Sequence, residues 1–519
     1  MMMKIELDQY FIYITLQKKD AQKLNAVWLS SKGMYRLPKT LHALRELWSL
    51  GYRDPLIEET GRRLAEEYRR INELKNRIPE QTADGLRPYQ QADVDFLLHI
   101  PHVGIFNQQR TGKTPVALKL IEKHGFRKGV IVCPATLVYN WEKEVRKWTG
   151  LNPVVAAGTK KKRQKIYDDY LQSDDRVMII SYDTLKLDIN TLLSPTEFVI
   201  LDEAHYICNH RVKRAKACYA LGRYAKKRIA LTGTPSKNKG VEVYGILHFL
   251  YPDWFPGYWS FAERYFHVWD APWGRDIGKA IRPEELQEIL NIISVQRKRS
   301  EVMKWIPPVT QEKIILTMEP EQEKAYTSML RDFVAGDVDA PNILAQLTRL
   351  RQIALGPESL GLKAPSVKEE WLKEFMSEFD GQAVIFSCFS SYLEILSKRY
   401  GLPLIEGKTK KEDRQQIVEE FQAGKHRFLL ANVEAAGTGL TLDQADTVVF
   451  LDRHFSPTVN EQAQDRIVPT TEESNQKVHI IDLITKDTVD EKIIDLLEKK
   501  ENILRIVNNY RSLEEFLKK

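Results

Sequence analysis

Short, almost continuous apolar runs recur at residues 129–134, 177–182, 198–201 and 228–233. Each ends in polar or glycine residues, and helical periodicity fills most of the intervals between them. Strands buried on both faces read as continuous apolar segments, so the pattern predicts parallel strands with crossover helices. It returns at 383–387, 428–432, 447–452 and 478–482. Two similar α/β lobes are expected, with ligands at the polar ends of the strands. Between them, roughly 240–365 is helix-rich and aromatic, with Trp254, Trp259, Trp269, Trp273 and Trp305, and predicts helical insertions and a linker. These tryptophans read as insertion core rather than base-stacking platforms. Residues 1–80 stand apart. Alternation over 4–16 predicts a strand, 39–51 an amphipathic helix stopping at glycine, and 61–77 a charged connecting helix. A terminal helix is expected near 489–503. The predicted organisation is a small α+β domain (1–80), a first lobe (81–255), insertions and linker (256–365), a second lobe (366–505) and a tail (506–519).

At 519 residues the chain exceeds what one core supports. Its net charge of +6 permits a polyanionic partner without demanding one, because positive charge must cluster to create a useful field. Cys133, Cys208, Cys218 and Cys388 fall in no metal-ligand or disulfide spacing, which predicts a reducing compartment. The start of the chain is charged too early for a secretory signal, and no apolar run approaches the roughly 18 residues of a membrane span. A cytoplasmic or nucleoid-associated protein, neither secreted nor membrane-bound, is expected.

The chemistry concentrates in Asn107-Gln108-Gln109-Arg110-Thr111-Gly112-Lys113-Thr114, a loop that opens a helix. Gly112 lets backbone approach phosphates, with Gln109, Arg110 and Thr111 completing the cradle. Lys113 reaches the outer phosphates, Thr114 offers a hydroxyl to magnesium, and the helix N-terminus adds its dipole. Asn107 stands where the motif has its first glycine. Alone, such a loop is often only a turn before a helix. The apolar strand 198–201, ending in Asp202 and Glu203, favours the phosphate reading. On an extended segment successive side chains point opposite ways, so one acid could face the metal and the other an attacking water. Thr232-Gly233-Thr234-Pro235 ends the fourth strand, where hydroxyls could sense the nucleotide.

Leu86-Arg87-Pro88-Tyr89-Gln90, the loop, Cys133-Pro134-Ala135, Trp141, Asp202-Glu203-Ala204-His205 and Leu231-Thr232-Gly233-Thr234-Pro235 follow in an order that resembles superfamily 2 helicases. They look most like the Swi/Snf-type double-stranded DNA translocases. Val384-Ile385-Phe386-Ser387, Ala436-Gly437-Thr438-Gly439-Leu440-Thr441-Leu442 and Gln462-Ala463-Gln464-Asp465-Arg466 resemble that family's motifs IV, V and VI. Leu347-Thr348-Arg349-Leu350-Arg351-Gln352 is similar to part of its helical insertions. The resemblance covers about 84–505 and implies two RecA-like lobes using ATP and magnesium. It implies that Gln90 reads the adenine edge with Arg87 nearby, and that Lys113 and Thr114 hold phosphate and metal. Asp202 would ligate the metal and Glu203 serve as base. Thr232, Gly233 and Gln462 would couple the lobes, Gly437 and Gly439 would admit nucleotide and DNA, and Arg466 would be an arginine finger. Such a finger is worth roughly 10³–10⁵ in rate. The family has a second arginine three residues later, where this chain has Pro469.

Two basic runs, Lys160-Lys161-Lys162-Arg163 with Lys165, and Arg211, Lys213, Arg214 and Lys216, could neutralise DNA phosphates. Residues 28–38 resemble the substrate-recognition domain of HARP-type annealing helicases, and similar domains precede the motor in phage branch-migration helicases. The expected function is an ATP-dependent helicase or translocase on duplex and branched DNA, with replication or recombination proteins as the implied partners. Alternatives are an ATPase-impaired DNA-binding scaffold, suggested by Asn107 and Pro469, a protein–DNA remodeller using the same motor, and an RNA motor.

Overall fold

The computed structural model describes residues 4–499 except 81, 83–84, 236–239, 272–273, 305–308, 437–441 and 469–477. The chain divides into two units, Met1–Val302 and Met303–Lys519.

The first unit is built on a seven-stranded, all-parallel sheet. Its order is Ser294–Val295, Val103–Ile105, Ala225–Leu231, Thr196–Leu201, Gly129–Cys133, Val177–Ser181 and Pro153–Val155. All four expected apolar runs are strands here, in register Ile229↔Ile200 and Ile131↔Ile200. Helices pack the strands' valine, isoleucine and leucine side chains into two cores. Three further strands of two or three residues are too short to register as periodicity. One of them, Val103–Ile105, delivers the phosphate loop.

The expected strand at 4–16 is a hairpin, Ile5–Leu7 with Phe11–Ile14. Asp8 folds the turn by accepting from the amides of Tyr10 (2.8 Å) and Phe11 (2.7 Å). With Val27–Leu29 and Met34–Pro38 it forms a four-stranded antiparallel sheet. Helix Leu41–Ser49 is capped by Thr40, whose hydroxyl accepts from Ala43 N at 3.1 Å. The connecting helix is longer than expected, Pro55–Asn76, because Asp54 caps it and Pro55 suits its first position.

Buried charge fixes this small domain to the rest of the unit. Glu46 accepts from Arg282 Nε at 3.0 Å and from Arg264 Nη2 at 3.1 Å. Arg264 also pairs with the fully buried Glu285 at 2.5 Å. Arg282 reaches Lys23 O (2.8 Å), and Glu288 accepts from the amides of Leu41 (2.6 Å) and His42 (3.2 Å). Removing Glu46 would leave the buried Arg282 guanidinium without its carboxylate, so the domain is an integral part of its unit.

The second unit carries a six-stranded parallel sheet. Its order is Val309–Leu316, Val478–Thr485, Thr447–Phe450, Ala383–Ser387, Phe428–Asn432 and Leu404–Ile405. The four expected strands form its centre. The stretch 256–365 holds more strand than its helical expectation. Phe266–Ala271 pairs with Gly274–Ala280, Ser294–Val295 joins the first sheet, and Val309–Leu316 joins the second. Val309–Leu316 is an exposed edge strand without an apolar run, so the sequence pattern gives no sign of it. Trp254 and Trp259 pack, partly buried, against the first unit's core, Trp254 stacked at 5.4 Å on Tyr10, whereas Trp269 is exposed and Trp273 and Trp305 lie outside the described residues. The terminal helix runs Val489–Glu498, and the rest of its expected span lies outside the described residues. Among the described residues, no helix is long and apolar enough to cross a membrane.

Candidate active site

Helix Lys113–Lys123 begins from Gly112, whose φ of +78° lies in the left-handed region that favours glycine. A Cβ on Gly112 would also stand 2.2 Å from Gln90 Nε2. Gln90 is buried and pins the loop: its Nε2 donates to Thr111 O at 3.0 Å, and its Oε1 accepts from Arg87 N at 2.8 Å. Tyr89 OH donates to the same Thr111 carbonyl at 2.9 Å. Arg87 caps the helix Pro88–Leu97 that carries both side chains. Thr111 is buried, with its hydroxyl on Gln108 O at 2.7 Å. Lys113 Nζ reaches that carbonyl at 3.4 Å, and Thr114 follows it on the first helical turn. Arg110 adopts a φ of +62°. Gly233 packs against the loop, and a Cβ there would meet Gln109 Cγ at 3.2 Å.

Asn107 points its side chain away from the loop into the protein. It is fully buried and donates to Asp93 Oδ2 at 2.7 Å. The missing glycine is thus accounted for by a partner on the neighbouring helix. Asparagine here fills a polar niche.

The strand Thr196–Leu201 delivers the two acids, though not by the extended alternation expected of them. The strand ends at Leu201, and Glu203 turns the chain with a φ of +50°. Left-handed backbone at a non-glycine residue is a strained placement typical of functional turns. Asp202 accepts from Trp141 Nε1 at 2.8 Å and from Glu203 N at 2.9 Å. Burial and the neighbouring Glu203 push its carboxyl up to about 6, while Trp141 and the charge of Lys113 oppose the rise. His205, to which sequence reasoning gave no role, joins two motifs. Its Nδ1 lies 3.1 Å from Glu203 Oε2 and 3.4 Å from Thr232 Oγ1. Thr232 is buried, and its amide donates to Ile105 O at the start of the phosphate loop. The first unit therefore brings together Arg87, Gln90, the 107–114 loop, Asp202, Glu203, Thr232 and Gly233.

In the second unit, Gln462 lies on helix Pro457–Gln464 and Arg466 in the turn that follows, where its carbonyl accepts from Leu442 N at 2.9 Å. Gly437, Gly439 and Pro469 lie outside the described residues. The polar strand ends of this sheet hold buried ion pairs. Arg351 Nη2 donates to Asp452 Oδ2 (2.8 Å) and Arg453 O (2.6 Å), Arg453 pairs with Asp482, and Lys368 with Asp490 (2.6 Å).

Residues 32–358 match the SNF2-related domain, and residues 367–468 match the helicase conserved C-terminal domain. The chain belongs to the SNF2-related family. It is 28% identical over 453 residues to "Putative ATP-dependent helicase/translocase YwqA" of Bacillus subtilis, covering 80% of this chain and 48% of that protein. It is 25% identical to the DNA annealing helicase and endonuclease ZRANB3 of Bos taurus, over 85% of this chain and 42% of that one. This SNF2-related chain spans about half the length of these curated relatives. A solved Sulfolobus solfataricus SWI2/SNF2 ATPase core in complex with dsDNA aligns at 25% identity and a TM-score of 0.40, over 80% of this chain and 91% of that one.

Of the basic residues singled out, Lys160, Lys161 and Lys162 are exposed at the start of helix Lys160–Gln172. Arg163 is held by Asp188 (2.6 and 3.2 Å) and Gly158 O (2.7 Å), so its guanidinium has a structural task. Arg211, Lys213 and Lys216 are exposed, while Arg214 lies over the Tyr206 ring.

Proposed function

We propose that this chain is a motor that hydrolyses ATP with magnesium and uses the cycle to move along duplex DNA, branched DNA included. One observation carries the proposal. The loop that carries Lys113 and the turn that carries Asp202, distant in sequence, leave the same end of one parallel sheet, from strands Val103–Ile105 and Thr196–Leu201 on either side of Ala225–Leu231. A cation for phosphate and a carboxylate for metal at one strand-end cleft are the elements of phosphoryl transfer.

Lys113 binds the outer phosphates and the helix start supplies its amides and dipole. Thr114 and Asp202 offer only hard oxygen donors, a set that fits magnesium. Bound there, magnesium supplies charge neutralisation on the phosphates. Glu203 orients and deprotonates the attacking water, and His205 steadies it. Arg87 and Gln90 flank the adenine, with Gln90 setting the loop at the same time. Gly233 against Gln109 and Thr232 against His205 pass the nucleotide state onward. By family resemblance, Gln462, Gly437 and Gly439 take part in coupling and nucleotide or DNA approach, and Arg466 stabilises charge on the transferred phosphoryl group.

The names of the relatives support a helicase or translocase, and Lys160–Lys162 offer phosphate contacts that read no sequence. Branched substrates are suggested by the small domain, whose edge strand Val27–Leu29 presents Trp28 at 54% exposure. Replication or recombination partners and a cytoplasmic or nucleoid setting complete the proposal.

The test is ATP turnover without DNA and with linear, forked and four-way DNA. Duplex should stimulate turnover, and Lys113→Ala should abolish it. Glu203→Gln should lower it by about 10²–10⁴ and Arg466→Ala by roughly 10³–10⁵. Phosphate release that none of the three changes, or none on any nucleic acid, would sink the proposal. Trp28→Ala should narrow the preference for branched over linear DNA. Deleting 1–80 is the poorer test, because it strips Arg264 and Arg282 of Glu46 and Glu288 of the Leu41 and His42 amides.

A further inference from the structure

The surroundings of Asn107 reach far beyond the nucleotide. Its Nδ2 donates to Asp93 Oδ2 at 2.7 Å, while its buried Oδ1 meets no donor. Asp93 is fully buried, and its other oxygen accepts from Arg297 Nε at 2.9 Å. Arg297 follows the short edge strand Ser294–Val295, and its own carbonyl accepts from Gln108 N at 2.9 Å. Two residues on, Arg299 N donates to Gln108 Oε1 at 2.8 Å. The remaining reach of Arg297 is outward, Nη2 donating to Lys75 O at 2.7 Å in the last turn of helix Pro55–Asn76. The Lys75 ammonium in turn donates to Asn291 O and lies 4.9 Å from the Phe96 ring, on the same helix as Asp93.

We propose that Asp93 and Arg297 are positioning residues that set the first residue of the phosphate loop and tie the loop's ATP affinity to the seating of the small domain's long helix. This rests on the loop being the ATP site. A glycine at the loop's start would leave its backbone free. An asparagine with one donor bond to a carboxylate has a single preferred pose, and that carboxylate is itself fixed by a guanidinium. An ion pair of this kind, its carboxylate fully buried and its arginine side chain 14% exposed, contributes more to uniqueness of geometry than to net stability. Because one guanidinium grips both Asp93 and the carbonyl of Lys75, a shift of the helix end must be shared with Asn107.

The test is a mutant cycle read as ATP KM and kcat in DNA-stimulated turnover, with binding of a fluorescent ATP analogue and thermal melting alongside. Asp93→Asn keeps an acceptor for Asn107 but removes the charge facing Arg297. It should raise KM about tenfold, the lower end for a hydrogen bond to a charged group, with little change in kcat. Arg297→Lys keeps the charge but cannot reach both Asp93 and Lys75 O, and should act in the same direction. In an Asn107→Gly background, Asp93→Asn should add less than about twofold, because the side chain through which it acts is gone. Factors that multiply across the cycle, or a lowered melting temperature with wild-type KM, would overturn the proposal. If Asp93→Asn fails to fold, the cycle of Arg297→Lys with Asn107→Gly decides by the same criterion. Wild-type protein that binds no nucleotide defeats the ATP reading itself. Wild-type binding with indifferent variants defeats only this positioning role.

Discussion

The two parallel sheets of this chain treat their polar strand ends in opposite ways. In the first unit, the ends of Val103–Ile105 and Thr196–Leu201 lead into turns with left-handed backbone at Arg110, Gly112 and Glu203. Asp202 and Glu203 lie there, and burial raises the Asp202 carboxyl. In the second unit, the corresponding ends are closed by buried pairs among Arg351, Asp452, Arg453, Asp482, Lys368 and Asp490. The first sheet's acids lean on the Trp141 indole, the Glu203 amide and His205, whereas the second sheet's acids are each paired with an arginine or a lysine. The same architecture thus carries two different charge arrangements at its strand ends.

Three substitutions can break or sharpen that contrast. Arg351→Ala should have the largest effect on stability. It leaves Asp452 buried without its guanidinium and should destabilise the second unit by about 3–5 kcal/mol. Nucleotide affinity at the first unit should survive, and a nucleotide-affinity loss without a melting shift would reverse the contrast. His102 gives a smaller effect, in the first unit. Burial, with Arg228 and Lys227 beside it, depresses its imidazole to about 3. Below about pH 6.5 the unfolded chain takes up a proton that the folded chain refuses, so stability present above that pH falls as pH drops toward 3. The slope should approach 1.4 kcal/mol per pH unit at most, roughly. His102→Gln should flatten melting temperature against pH in that window; an unchanged slope would reject the assignment. Smallest is Trp141→Phe, which removes the indole donor to Asp202 and should cost about 1–3 kcal/mol of carboxylate stabilisation. It should appear as a raised magnesium requirement for turnover, with a lowered melting temperature beside it because Trp141 is also packed in the first unit's core.

Much of this was legible because it is local. Continuous apolar runs gave the central strands of both sheets, and the Gly-Lys-Thr loop and Asp-Glu pair named their own positions. Strands of two or three residues, and the exposed Val309–Leu316, lack enough periodicity to be read. The turn at Glu203 escaped because alternation assumes that the strand continues. Asn107 looked like a defect in the loop until its partner Asp93, and beyond it Arg297, came into view. Pairings between residues so distant in sequence leave no spacing pattern to detect. His205 was visible within its motif, but only the fold brings it to Thr232.

The pairing of Glu46 and Glu285 with Arg264 and Arg282 has a practical corollary in ionic strength. Salt screens charges that water can reach, with a Debye length of about 8 Å at 0.15 M, and screens buried pairs far less. On the proposed function, raising potassium chloride should therefore strip nucleic acid from the exposed lysines of 160–162 well before it loosens the small domain from its seat, so the two kinds of electrostatics in this chain can be titrated apart in one cuvette.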